Sequence, residues 1–433
     1  MPDTSIVNVK ARRVWDSRGR PTIEAEVHTA CGSVGRAIAP AGASRGSREA
    51  IDLRDGGVRL GGLDVSRAVA HVSGEIARRL CGMDVTRQLE IDQALCALDG
   101  SGNKARLGGN ATVAVSMACA HAAAHAAGEP LWRHLAEGQP VRLPLPEIQI
   151  FGGGAHAGRR IDIQDLMVMP LSAGSFDEAL SMTAEVYRAA GALMSEHGLL
   201  QGVADEGGFW PAFSSNEEAL EMLVRAIERA GYRPGEQIGI SLDIAASEFG
   251  RQGRYRLALE ERELDSVEMA GMLVEWCRRF PVVSVEDPLA EDDTAGMGLF
   301  TAAVGDTVQI IGDDYLVTNA ALVRAAAQEG ACNAVLIKPN QVGTMTEALA
   351  ALSAGKRAGF GTVVSARSGE TEDVTIVHLA VGWDAGQLKV GSFARSERMA
   401  KWNEALRIEE ALGSQARFAG RDALARNPAR KPA

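Results

Sequence analysis

The feature that most constrains the fold is a rhythm in the second two-thirds of the chain. Short apolar runs end in a polar residue, and a helix-length segment follows each one. The runs are IGISLD, VVSVED, VQIIGDD, AVLIKPN, GTVVSAR and QLKVGS. Strands that are apolar nearly throughout are buried on both faces, as in a parallel sheet covered by helices. The intervening segments are amphipathic: in NEEALEMLVRAIERAG, Leu220, Leu223, Val224 and Ile227 share one helical face. Six or more such units in succession predict an α/β fold with a closed (β/α) barrel rather than an open sheet.

The rest of the chain is organised around that barrel. VNVKARRVWD and TIEAEVHT alternate as half-buried strands do. From about Ser66 to Ala127 the pattern is helical. The Pro-rich EGQPVRLPLPE, around 137–147, predicts a domain boundary. With 433 residues the chain also exceeds one ordinary core. We expect a smaller α+β domain over 1–138, the barrel over 139–420 and a flexible tail over 421–433, its end ARNPARKPA frayed. ATVAVSMACAHAAAHAAG is Ala-rich but holds two histidines, and it reads as a buried helix rather than a membrane span. MPDTSIVNVKARR lacks the apolar centre of a signal peptide. The six cysteines are dispersed and form no CxxC pair, so a reduced, cytoplasmic setting is expected. A net charge of −11 opposes nucleic-acid binding, which needs basic surface. It leaves room for a local basic pocket that takes a small anion.

Chemistry in a barrel gathers at the C-terminal ends of the strands. The residues there are Asp243, Glu286, Asp313, Lys338, Arg367 with Ser368, and Lys389. Three converging carboxylates need a counter-charge. A divalent cation with oxygen ligands, Mg²⁺ above all, supplies it. An acid after a strand can instead cap the next helix; that reading competes for any one of the three, less so for all together. The chain has only seven lysines, and two of them end barrel strands. An amine can give up and take a proton where a guanidinium cannot; the plainer role is to neutralise the acids. VADEGGF sets Glu206 before two glycines, which permit close backbone approach to a ligand or simply form a turn. Metal-holding carboxylates, a lysine base and an Arg-Ser anion contact suit proton abstraction beside a carboxylate, with cations stabilising the dianion. Glu206 is then the acid for a hydroxyl leaving from the next carbon.

These residues sit in WDSRGRPT (15–22), PAGASRGSREA (40–50), ADEGG (204–208), LDIAASEF (242–249), SVEDP (284–288), GDDYLVTN (312–319), LIKPNQVGT (336–344), ARSGETED (366–373) and LKVGSFARSER (388–398). Through them the chain resembles the enolase family over nearly its whole length. The resemblance implies a (β/α)8-type barrel with irregular first units behind a small α+β domain. It implies a hydro-lyase with two Mg²⁺ ions per site, acting on a small phosphorylated or phosphonylated anion, with no nucleic-acid or membrane partner. It also implies homodimers or rings of dimers. A lysine base with Mg²⁺ is the established arrangement of that superfamily. By resemblance, Asp243, Glu286 and Asp313 match ligands of the first Mg²⁺, and Ser44 lies in the mobile loop of the second. Lys338 matches the base and Glu206 the acid. Arg367 and Ser368 match phosphate contacts, Lys389 a carboxylate contact, and His156 the histidine of a closing loop.

The departures cluster at the same place. Ala366 stands where the family has a histidine, and Asp165 where it has a glutamate. GASR adds Arg45, HAGR adds Arg159 and Arg160, and IFGGG lacks the usual asparagine. Lost imidazole and gained guanidiniums imply a substrate carrying a further anionic group, met by Arg45 and Arg159. The family relative that forms carboxyphosphonoenolpyruvate in phosphinothricin-type antibiotic pathways has such a substrate. Drift, with the arginines in solvent, is the alternative. An ordinary glycolytic enolase and a catalytically silent enolase-fold binding protein are the competing functions. Arg367 and Ser368 speak against a phosphate-free substrate.

Overall fold

The structure is a computed structural model that describes residues 2–210 and 213–424. Strands β1 (Ile6–Trp15), β2 (Pro21–Thr29) and β3 (Val34–Ile38) form an antiparallel sheet in that order. The Ala-rich run is the helix Gly109–Ala127, buried along most of its length against this sheet. Small side chains are needed because the backbones nearly touch: a Cβ on Gly35 would lie 2.0 Å from the Ala118 carbonyl oxygen. No helix among the described residues is long and apolar enough to cross a membrane.

The barrel strands are β4 (Leu145–Gly152), β5 (Asp165–Pro170) and β6 (Ile238–Asp243). A small sheet of β7 (Gly250–Arg251), β8 (Arg254–Leu257) and β9 (Arg262–Asp265) intervenes. The barrel resumes with β10 (Val282–Glu286), β11 (Gln309–Gly312), β12 (Ala334–Ile337), β13 (Gly361–Ser365) and β14 (Gly386–Ser392). It closes by pairing β14 with β4. All six apolar runs are barrel strands. Two strands escape the rhythm: β4 begins inside the Pro-rich stretch, and β5 runs antiparallel to both β4 and β6. Three of the surrounding helices start on side-chain caps of one kind, Ser175, Ser215 and Thr344 each accepting from the backbone N–H three residues on.

Strand alternation turns every second side chain of each barrel strand into the interior. Ile311, Ala334, Leu336 and Val363 form a small apolar cluster separate from the main core. Glu147, Ser241, Ser284, Gln309 and Gln387 are also buried, each at most 1% exposed. Gln309 and Gln387, on strands that are not neighbours, exchange amide hydrogen bonds of 2.8 and 2.9 Å across the interior. Ser241 donates to Glu147 at 3.0 Å. The tail expected to be flexible from residue 421 begins as an ordered turn. Gly420–Ala423 is a 3₁₀ turn whose Ala423 carbonyl accepts from Gln387 at 3.0 Å. Residues 425–433, including ARNPARKPA, lie outside the described residues.

Candidate active site

Ser241 and Gln387 face the barrel interior, so the residues two further on, Asp243 and Lys389, also face inward at the mouth. The Lys389 amine lies 2.8 Å from Asp243 Oδ2, 2.8 Å from Glu286 Oε2 and 3.6 Å from Asp165 Oδ2. Lys338, just past β12, pairs with Asp313 Oδ2, and Gln341 donates to Asp313 Oδ1 at 2.8 Å. Burial works to deprotonate both amines, but the facing acids outweigh it and hold both pKa values up.

Arg367 and Ser368 follow β13. The loop that carries them is held from below by the buried Arg398, which donates to the carbonyls of Arg367, Ser368 and Val390 at 2.6–2.8 Å. The Arg367 guanidinium meets Glu49 through both terminal nitrogens, at 3.0 and 3.1 Å. Ser368 Oγ accepts from the Ala43 N–H at 2.7 Å, and the Ser44 carbonyl accepts from Arg367 at 3.0 Å. Residues 41–50 of the N-terminal segment thereby cross the barrel mouth.

His156 lies between two acids. Its Nδ1 is 3.1 Å from Asp165 Oδ1, and its Nε2 is 3.8 Å from Glu206 Oε1. Burial alone favours neutral imidazole, yet Glu206 and Asp165 push its pKa up to about 9. Asp165 is held well below the carboxylate range: burial works against this, and the His156 charge overcomes it. Gln149 stiffens the set, donating to Asp165 and accepting from the Gly208 N–H at 2.8 Å. A Cβ on Gly152 would lie 2.7 Å from the Ala204 Cβ and 3.2 Å from Gln149 Nε2, so the chain at IFGGG packs too closely there for a side chain. The glycines of DEGG serve the protein rather than a ligand: a Cβ on Gly207 would meet the Ala394 carbonyl at 2.5 Å, and one on Gly208 would meet Gln149 Oε1 at 2.4 Å.

One pocket takes in Ser44, His156, Asp165, Glu206, Asp243, Lys338, Arg367, Ser368 and Lys389, with Ser365, Ala366 and Val390 forming part of its wall. Glu286 is fully buried beneath Lys389. The three acids expected to share a metal are not drawn to one point. Among the described residues, the sets whose ligand atoms all lie within 4.8 Å of one another are His156, Asp165 and Glu206, and Asp287, Asp313 and Asp314. Lys389 takes Asp243 and Glu286, while Lys338 takes Asp313, because each carboxylate is drawn to an amine. The site still fits a cation. Glu286 Oε1 and Gln164 Oε1 are buried without a hydrogen-bond partner. The Glu286 carboxyl is pushed well up by burial and by Asp243, Lys389 opposing them only in part. A carboxyl crowded in this way favours its proton, and a cation beside it would let it ionise.

Two expected substrate contacts lie elsewhere. The Arg45 side chain is 54% exposed and faces Asp52 at 4.0 Å. The Arg159 side chain is 68% exposed and pairs with Glu248 at 2.9 Å. Arg160 lies over the Trp210 ring at 5.8 Å. Both guanidiniums meet acids outside the pocket, in exposed pairs that contribute little to stability. Glu49, Gln149, Gln341 and Arg398 were not anticipated. Glu49, Gln341 and Arg398 sit in the quoted motifs, but nothing local in the sequence says what they face.

Comparison with known families gives two matches. The enolase N-terminal domain matches residues 6–135, and the enolase C-terminal TIM barrel domain matches residues 140–427.

Proposed function

The chain belongs to the enolase family, and from that premise we propose that it is a Mg²⁺-dependent dehydratase acting on a 2-phosphoglycerate-like substrate. The supporting observation is that Lys338, Glu206 and Arg367, far apart in sequence, line one pocket. Lys338 takes the proton from the carbon beside the substrate carboxylate, its amine held by Asp313. Glu206, in its protonated form, gives that proton to the hydroxyl on the next carbon, the C–O bond breaks, and water leaves an enol product. His156, beside Glu206, orients that acid. Arg367 and Ser368 hold the phosphoryl group and Lys389 the carboxylate. Asp243, Glu286 and Asp313 are the residues to hold one Mg²⁺, with Ser44 toward a second. When bound, the cations supply positive charge for the enolate dianion and relieve the acids that now keep Lys338 protonated. We take the enzyme to work as a homodimer or larger ring in the cytoplasm.

Ala366 lines the pocket beside Ser365 and Val390 with a side chain of a single carbon. On that ground we assign a substrate with an added group, as in carboxyphosphonoenolpyruvate formation. The outward Arg45 and Arg159 favour the second reading, glycolytic conversion of 2-phosphoglycerate to phosphoenolpyruvate, because they bring no new cation to the pocket. Comparing kcat/KM for 2-phosphoglycerate and its carboxyphosphono counterpart decides between them. The first reading requires the larger value for the carboxyphosphono compound; equal or reversed values defeat it. On the better substrate, Lys338→Ala should cost about 10²–10⁴-fold in rate and stop solvent-hydrogen exchange at the reacting carbon. Glu206→Gln should stop elimination while exchange continues. Exchange that persists in Lys338→Ala rules out the assigned base. An unchanged biological effect of that variant would favour a silent binding protein.

A further inference from the structure

We propose that Glu49 is a positioning residue that sets Arg367 for its anion. This rests on reading Arg367 as the phosphoryl contact. Glu49 comes from the N-terminal segment, 318 residues from its partner. Both are buried, at 6% and 3% exposure. The contact is bidentate: Nη1 to Oε2 at 3.0 Å and Nη2 to Oε1 at 3.1 Å. Such a fork fixes the plane of the guanidinium as well as its place. Asn340 Oδ1 accepts from Nη1 at 3.1 Å and the Ser44 carbonyl from Nη2 at 3.0 Å. A Cβ on Gly42 would lie 2.1 Å from Nη2, so the segment is shaped to the arginine.

Glu49 is itself held. Its Oε1 accepts from the Gly46 N–H at 3.1 Å and from Gln341 Nε2 at 3.3 Å. The same Gln341 nitrogen donates to Asp313 at 2.8 Å, and Asp313 pairs with Lys338. One carboxylate from the smaller domain therefore fixes the anion contact and lies one amide away from the acid that holds the base. A buried arginine without this partner is free to swing toward the pocket acids, and its reach to a phosphoryl group is lost.

The test is calorimetric titration of inorganic phosphate into the full chain with Mg²⁺ present, beside the melting temperature of each variant. Wild type should bind phosphate and Arg367→Ala should not. Glu49→Gln should bind about ten-fold more weakly and also melt lower, because a buried guanidinium loses its counter-charge, and Glu49→Asp should fall between on both counts. Phosphate binding in Glu49→Gln as tight as wild type overturns the proposal, because Glu49 then only packs. Tighter binding overturns it too, since Glu49 then competes with the anion. Should Glu49→Gln fail to fold, Glu49→Asp decides: weaker phosphate binding supports the proposal and unchanged binding ends it. Equal binding by wild type and Arg367→Ala instead defeats the reading of Arg367, a result separable from failure at Glu49.

Discussion

His156 carries a proton in a place where burial alone would remove it. Glu206 and Asp165 raise its pKa from 6.5 to about 9, so the charged form favours the folded state. That stabilisation is complete below the unfolded value of about 6.5 and disappears as pH rises through about 9. The difference in melting temperature between wild type and His156→Gln should therefore be widest below pH 6.5 and shrink toward pH 9. A gap that stays constant across that range refutes the charged assignment. Residues at strand ends, such as Lys338 and Asp243, could be placed in the pocket from the chain alone because the apolar runs point to them. Arg45 and Arg159 could not, because a loop side chain of that length chooses among acids that only the folded chain brings near.

At the scale of elements, period and composition carried most of the information. The six apolar runs became strands since a parallel strand covered on both faces has no polar side to lose. The antiparallel β5 left no such trace: DLMVMP is as apolar as its parallel neighbours, and direction is set by the connection, not by side chains. The sheet of β1–β3 depends on a contact at backbone range. Gly35→Ala would push a methyl against the Ala118 carbonyl, which the helix backbone cannot yield without moving. We expect destabilisation of about 1–3 kcal/mol, read as a lower melting temperature. An unchanged value would mean that the helix Gly109–Ala127 is not seated as described.

For the whole molecule, crowded acids at the barrel mouth would tie stability to the proposed Mg²⁺. Glu286 keeps an unpartnered buried oxygen even with Lys389 at 2.8 Å from its other one. Mg²⁺ should raise the melting temperature in proportion to the logarithm of its concentration once above its dissociation constant. Chelation should reverse the rise, and Glu286→Gln should diminish it. A melting temperature indifferent to Mg²⁺ counts against the metal assignment. By itself the sequence determined the barrel, the smaller domain before it and the acids and lysines at the strand ends, because hydrophobic period and strand-end position are local properties of the chain. Tertiary structure alone decided that Glu49 meets Arg367, that Gln149 joins Asp165 to the Gly208 backbone and that Arg45 and Arg159 turn outward. Those are pairings between side chains and groups that mostly lie far apart in sequence, and only the closed fold sets how near they stand.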